Sequence, residues 1–149
     1  MPESLKRDIK AFFPTYKLAL EEAREILFSV GSPLIIGEAC NTAYEILGCG
    51  HMEDSHSFTF HNRYLGDLPA ELRIYIGCAT QLYGDIDNFQ LIKAHIRSSK
   101  VSLMRYDDWD KDEPLLLERI KIKLRELDID FFDYQGKFEP TPLNNKHIY

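Results

Sequence analysis

Between Leu91 and Tyr134 the chain alternates apolar and polar residues in successive short runs, a period of two that extended strands satisfy, and the runs are spaced as two consecutive β-hairpins. In RIKIKLRELDIDFFDY, Ile120, Ile122 and Leu124 alternate with Lys121, Lys123 and Arg125. On the return, Leu127, Ile129 and Phe131 alternate with Asp128 and Asp130. A turn at Arg125-Glu126 pairs Ile122 with Ile129 on one face, and Lys123 with Asp128 and Lys121 with Asp130 on the other. Each such cross-strand charge pair is worth a few tenths up to about 1 kcal/mol. The competing local preference is helical, because PLLLERIKIKLREL is rich in good helix formers. In LIKAHIRSSKVSLMRY, a two-residue turn at Ser98-Ser99 sets Ile96 opposite Val101 and Ala94 opposite Leu103, with Lys93, His95 and Ser102 on the other face. The second hairpin carries acids for its own cations. The first does not, so Lys93, His95 and Arg97 are the charges expected in a row and facing something external.

Elsewhere the period is helical. Tyr16, Ala19, Leu20, Ala23, Leu27 and Val30 predict a helix that Gly31 ends, preceded by a shorter helix over Leu5–Phe12 that Pro14 stops. Ser32-Pro33 has the chemistry of a helix start, and Leu34, Ile35, Ala39, Ala43 and Ile46 supply a buried side as far as Gly48. Residues 48–57 read as a loop and Phe58–His61 as a short strand. Asp67, Pro69 and Glu71 open a further helix with the stripe Leu72, Tyr75, Ile76, Ala79 and Leu82, ending before Gly84. The expected fold is α+β in a single domain over 1–149: a helical N-terminal layer (1–47), a mixed stretch (58–84), hairpins (91–134) packed as a mainly antiparallel sheet, and an extended tail (135–149).

A chain of 149 residues can bury a core without disulfides or a structural metal. Cys40, Cys49 and Cys78 are odd in number and irregular in spacing, as reduced thiols of a cytoplasmic protein would be. No apolar run approaches the ~18 residues of a membrane span, and the charged start MPESLKRDIK lacks the apolar core of a secretory leader. A formal net charge of −6 argues against a domain whose whole surface is a nucleic-acid footprint. Any contact with DNA is therefore expected to be local or assisted by a protein partner.

Few motifs carry chemistry. The glycines of Ile46-Leu47-Gly48-Cys49-Gly50 are spaced like the S-adenosylmethionine loop of a class I methyltransferase, but Met52 stands where the third glycine belongs, and no parallel β–α–β series follows. Gly48 reads as a helix C-cap, and no cofactor is expected. Cys49, His51, His56 and His61 match no paired zinc spacing, so no metal is expected there. Asp107, Asp108, Asp110, Asp112 and Glu113 surround Trp109 and read as a solvated acidic turn leading into a helix through Leu115-Leu116-Leu117. The chemical alternative is a magnesium site on Asp107, Asp108 and Asp110 serving a phosphodiesterase, with Lys93 orienting water. The basic set His61, Arg63, Lys93, His95 and Arg97 is the candidate nucleic-acid or oxyanion site, because residues two apart on a strand present donors on one face.

Three segments, DIKAFFPTYKLALEEAREILFSVGSP at 8–33, LPAELRIYIGCATQLYGDID at 68–87 and LIKAHIRSSKVSLMRYDDWD at 91–110, carry a likeness of pattern that spans most of the chain. In these segments the chain resembles the DNA phosphorothioation-associated methyltransferase family, in a portion outside its methyltransferase module. That module is not recognisable in this sequence. The resemblance implies that His61 and Arg63 of FTFHNRYLGDLP join Lys93 and His95 in one site. It also implies an accessory or recognition role on DNA in a modification or phage-defence system, beside a protein partner. A protein-interaction subunit without catalysis is the further alternative.

Overall fold

Proline has a fixed φ and no N–H to lose, so Pro33 fits the first turn of α1 (Pro33–Leu47) in the computed structural model, which describes residues 32–136 and 139–149. The helices expected over Leu5–Phe12 and Tyr16–Val30 lie outside the described residues. Ser32 is the N-cap of α1, and Gly48 closes it in the left-handed conformation at φ +66. Then follow β1 (His51–Glu53), β2 (Ser57–His61), a 3-10 turn (Asn62–Asp67), α2 (Ala70–Tyr83), β3 (Leu91–His95), β4 (Lys100–Tyr106), β5 (Leu115–Lys123), β6 (Asp128–Asp133), β7 (Thr141–Pro142) and a last 3-10 turn (Lys146–Ile148).

The strands form one antiparallel sheet in the order β1-β2-β3-β4-β5-β6, with β7 added beside β5. The architecture is α+β. Phe58, Phe60, Ile92, Ala94, Val101, Leu103, Ile120 and Ile122 point from one face into a core closed by Ile36, Cys40 and Ala43 of α1 and by Leu72, Tyr75, Ile76 and Ala79 of α2. Each large side chain buried there contributes about 1.5–3 kcal/mol. No helix among the described residues is long and apolar enough to cross a membrane.

The second hairpin adopts the register its charges specify: Ile122 opposite Ile129, Lys123 opposite Asp128 and Lys121 opposite Asp130. The first keeps its faces but not its partners. Val101 lies opposite Ala94 rather than Ile96, and Leu103 opposite Ile92 rather than Ala94. The turn is wider than two residues for reasons outside the hairpin. Ile96 donates its N–H to His56 O at 2.8 Å, and the Tyr75 hydroxyl reaches His95 O at 3.0 Å and Lys100 O at 3.3 Å. Those bonds hold both turn flanks apart, and Ser99 takes a positive φ to close it.

Other expectations are corrected. Leu115–Leu117 is strand, not helix, because β5 pairs with β4 on one side and β7 on the other. The stretch 48–57 contains β1. The tail is pinned rather than merely extended: Leu143 N–H bonds Pro114 O, and Gly50 N–H bonds Ile148 O at 2.6 Å. The buried side of α1 is Ile36, Ala39, Cys40 and Ala43, while Leu34 and Ile46 are exposed. Ile36 fills the core from this helix, with Ala39, Cys40 and Ala43 beside it.

Both glycines of the Gly48-Cys49-Gly50 motif have structural work, of different stringency. A Cβ at Gly48 meets nothing within 4 Å, whereas one at Gly50 (φ +102) would lie 2.8 Å from the Phe58 ring and 2.9 Å from Thr59 O. Gly48→Ala is expected to cost about 1 kcal/mol and Gly50→Ala about 3 kcal/mol or more. Urea denaturation midpoints check the order, and equal losses would contradict it.

Candidate functional site

The face of the sheet opposite the helices carries the polar alternates, and antiparallel register lines them up across strands. One row runs His51, Thr59, Lys93, Ser102, Lys121, Asp130. A second runs His61, Leu91, Met104, Arg119, Phe132. Flanking the first row, Ser57 pairs with His95 and Lys100 with Lys123. Ser57, Thr59 and Ser102 are buried, so the small hydroxyls floor the face and the long cations rise around them.

His95 Nε2 lies 3.0 Å from Ser102 Oγ. Burial holds the His95 pKa down to about 4, helped by the positive charges of Lys93, Arg119, Lys121 and Lys100. His95 is therefore neutral at pH 7. Ser102 is 0% exposed, so its hydroxyl orients the imidazole and is not a nucleophile a substrate can reach. Lys93 meets Glu53 at 3.5 Å, and Lys93 is the main cause of the lowered Glu53 pKa.

The expected ion pair between Lys121 and Asp130 does not form, although the two are opposite in register. Asp130 turns to Lys123 at 3.3 Å, which also takes Asp128 at 3.4 Å. Lys123 stands at the turn end of the hairpin, where both acids reach it. Lys121 sits further in and lies 5.9 Å over the Phe132 ring, as does Arg119. Burial lowers the Lys121 pKa, and the charges of Arg119, Lys100 and Lys93 lower it further. The buried Nε of Arg119 has no hydrogen-bond partner. Among the described residues, Lys100, Arg119 and Lys121 have no carboxylate within ion-pairing distance.

The five residues singled out from sequence divide. Lys93 and His95 adjoin on this face. His61 shares the face at the start of the second row, where its Nδ1 accepts the Arg63 N–H at 3.1 Å and its ring meets Trp109 edge-on at 5.0 Å. Burial, and then the Arg63 charge, hold its pKa down to about 4. Arg63 stands beyond it in the 3-10 turn. Arg97 does not continue the row of Lys93 and His95: past the end of β3 it bonds Ser55 Oγ at 2.8 Å and lines a recess with Leu34 and Glu38 of α1. Lys100, Arg119 and Lys121 were missed. The pairing of Ser102 with Lys121 was the available signal, but it appears only when the two hairpins are aligned with each other.

Two carboxylates of the acidic turn around Trp109 are spent on the turn itself. Asp107 accepts the N–H groups of Asp108 and Leu115 and pairs with Lys111 at 2.7 Å, which hold its pKa down to about 2. Asp108 accepts the Asp110 N–H at 3.0 Å. Among the described residues no three His, Cys, Asp or Glu side chains converge as a metal site would require, at this turn or around Cys49, His51, His56 and His61. The cysteines are unpaired, and burial pushes the Cys40 thiol up to about 12, as for an inert core residue.

No match emerges from comparison with known proteins: no family model, no curated protein and no solved structure matches this chain.

The two depressed histidines give a pH dependence with a definite sign. Unfolded, each takes up a proton near pH 6.5; folded, each resists to about 4. The unfolded state binds more protons in between, so stability present above pH 6.5 is lost as pH falls through that window. After solvent screening the loss is on the order of 1 kcal/mol per histidine. His95→Gln keeps a partner for Ser102 and removes one titration. Its urea midpoint should fall less between pH 7 and pH 5 than that of the wild type, and parallel profiles would refute the assignment.

Proposed function

We propose that the protein is an accessory DNA-contact module that sets the cationic sheet face against backbone phosphate or phosphorothioate. The observation that carries this reading is the grouping of Lys93, Lys100, Arg119 and Lys121 around Ser102, on a chain whose formal net charge is −6. Within the group only Lys93 meets an acid, Glu53, whereas elsewhere on the sheet and its loops Arg105 pairs with Glu118, Lys111 with Asp107 and Lys123 with Asp128 and Asp130. Holding like charges together at a partly buried face costs stability, and an external polyanion offsets that cost while releasing condensed counterions. The sequence resemblance supports a setting in phosphorothioation-related DNA modification or defence, beside a protein partner of the same system.

The role of each residue follows from its environment. Lys100, Arg119 and Lys121 supply charge without an internal competitor, and Lys93 supplies it by exchanging Glu53 for phosphate. His95 stays neutral and contributes a hydrogen bond rather than a charge, so binding should not tighten between pH 7 and pH 6. Arg97, directed towards α1, lies off the contact.

Fluorescence anisotropy on end-labelled DNA tests the reading. The double variant Lys100→Gln/Lys121→Gln should bind more weakly and show a salt dependence shallower by about two units, roughly one for each phosphate no longer neutralised. Arg97→Gln should bind as the wild type does. Matched oligonucleotides with and without phosphorothioate tell which backbone is preferred. No binding by the wild type at low salt, or an unchanged double variant, rules this face out.

A further inference from the structure

Beside His61, where the second row starts, the chain builds a recess of about 470 Å³, within the ~300–1,000 Å³ range of small-ligand sites. Its wall is Trp109, the single tryptophan of the chain, together with Tyr149. Two segments bring positive or donor groups to it: Arg63 from the first 3-10 turn, and Lys146 and His147 from the last, with Asn144 beside them. Lys146 Nζ lies 5.6 Å from the indole centre and is tied to Lys111 O at 2.9 Å, while Arg63 donates to Tyr149 O at 3.3 Å. Asp112 also lines the recess, as an acceptor at its rim. Arg63 is thus already held by Tyr149 O, while Lys146 has no carboxylate side chain within ion-pairing distance among the described residues.

The indole is held in place rather than carried on a loose loop. Asp107 closes the turn by bonding its own neighbour and Leu115, Asp108 bonds Asp110, and the ring is braced edge-on by His61 and by Tyr106 at 5.6 Å. A braced aromatic wall with one cation lying over it and another beside it takes a flat ring bearing a phosphate when the ring replaces Lys146 on the indole and the ammonium turns to the phosphate. We infer that this recess receives an unpaired base of single-stranded DNA, stacked against Trp109, with its phosphate between Arg63 and Lys146. The inference rests on the reading of the cationic face as a phosphate-contact surface and adds what the strand must offer, a base free of its pairing partner.

Trp109 is its own reporter, because no other residue of the chain contributes indole fluorescence. The intact protein is titrated with a short oligothymidylate, with an abasic strand of equal length, with a duplex and with inorganic phosphate, while anisotropy is followed in parallel. The expected result is quenching by oligothymidylate and not by the other three. Trp109→Leu should weaken oligothymidylate about tenfold, in line with the loss of one stacked base. Lys146→Ala leaves the indole in place and should lower the affinity of the quenching site, which keeps the test decisive where the tryptophan variant fails to fold. Equal quenching by the abasic strand or by phosphate overturns the base assignment. Binding of duplex and single strand alike with unchanged fluorescence overturns the recess and leaves the cationic face standing. Absence of binding to every strand overturns both.

Discussion

The register between β4 and β5 is the constraint on which everything else rests. Val101 opposite Ile122 and Leu103 opposite Ile120 join the two hairpins into one apolar floor for the helices, and the same alignment sets Ser102 opposite Lys121 on the reverse. A slip by one residue would turn lysines into the core and isoleucines out of it, so the core and the cationic face are specified together. Burial of Ile120, Ile122, Val101 and Leu103 favours that register far more strongly than the repulsion among lysines opposes it. The sheet can therefore carry a concentration of like charge that an isolated hairpin would discourage.

Tyr75 couples the helical layer to this arrangement. Its ring is nearly wholly buried, burial raises its pKa, and its hydroxyl spans the carbonyls of His95 and Lys100. One side chain of α2 thus sets the width of the β3–β4 turn and, through it, the separation of two strands that present His95 and Lys100. The position of a helix on one side of the sheet fixes the spacing of polar groups on the other.

How much of this was legible depended on whether the determining contact was local. The β5–β6 register could be read because apolar residues mark one face and opposite charges the other, so only one alignment satisfies both. In the β3–β4 hairpin the alternation fixed the faces but not the partners, since the turn width comes from Tyr75 and from His56, both remote in sequence. In α1 the stripe through Leu34 and Ile46 and the one through Ile36 and Cys40 are both of helical period, and only the tertiary packing of the helix shows that the second is the buried one. Leu115–Leu117 misled because acids before a leucine run resemble a helix start, and pairing on both sides overrides that preference. At the site, Lys93 and His95 were legible as neighbours, whereas Lys100, Arg119 and Lys121 join them only through the packing of one hairpin on the next.

The bonds from Gly50 to Ile148 and from Arg63 to Tyr149 close long loops among described residues whose strands, β7 apart, pair with their sequence neighbours. Hairpins of this kind form early, and contacts across 86 residues form late, after the loop entropy has been met. Local opening of the segment that completes the Trp109 wall would leave the sheet beneath it folded. Amide exchange at Gly50 and Tyr149 would then run faster than at β4 or β5, and occupancy of the recess would be felt first as a slowing of that local opening.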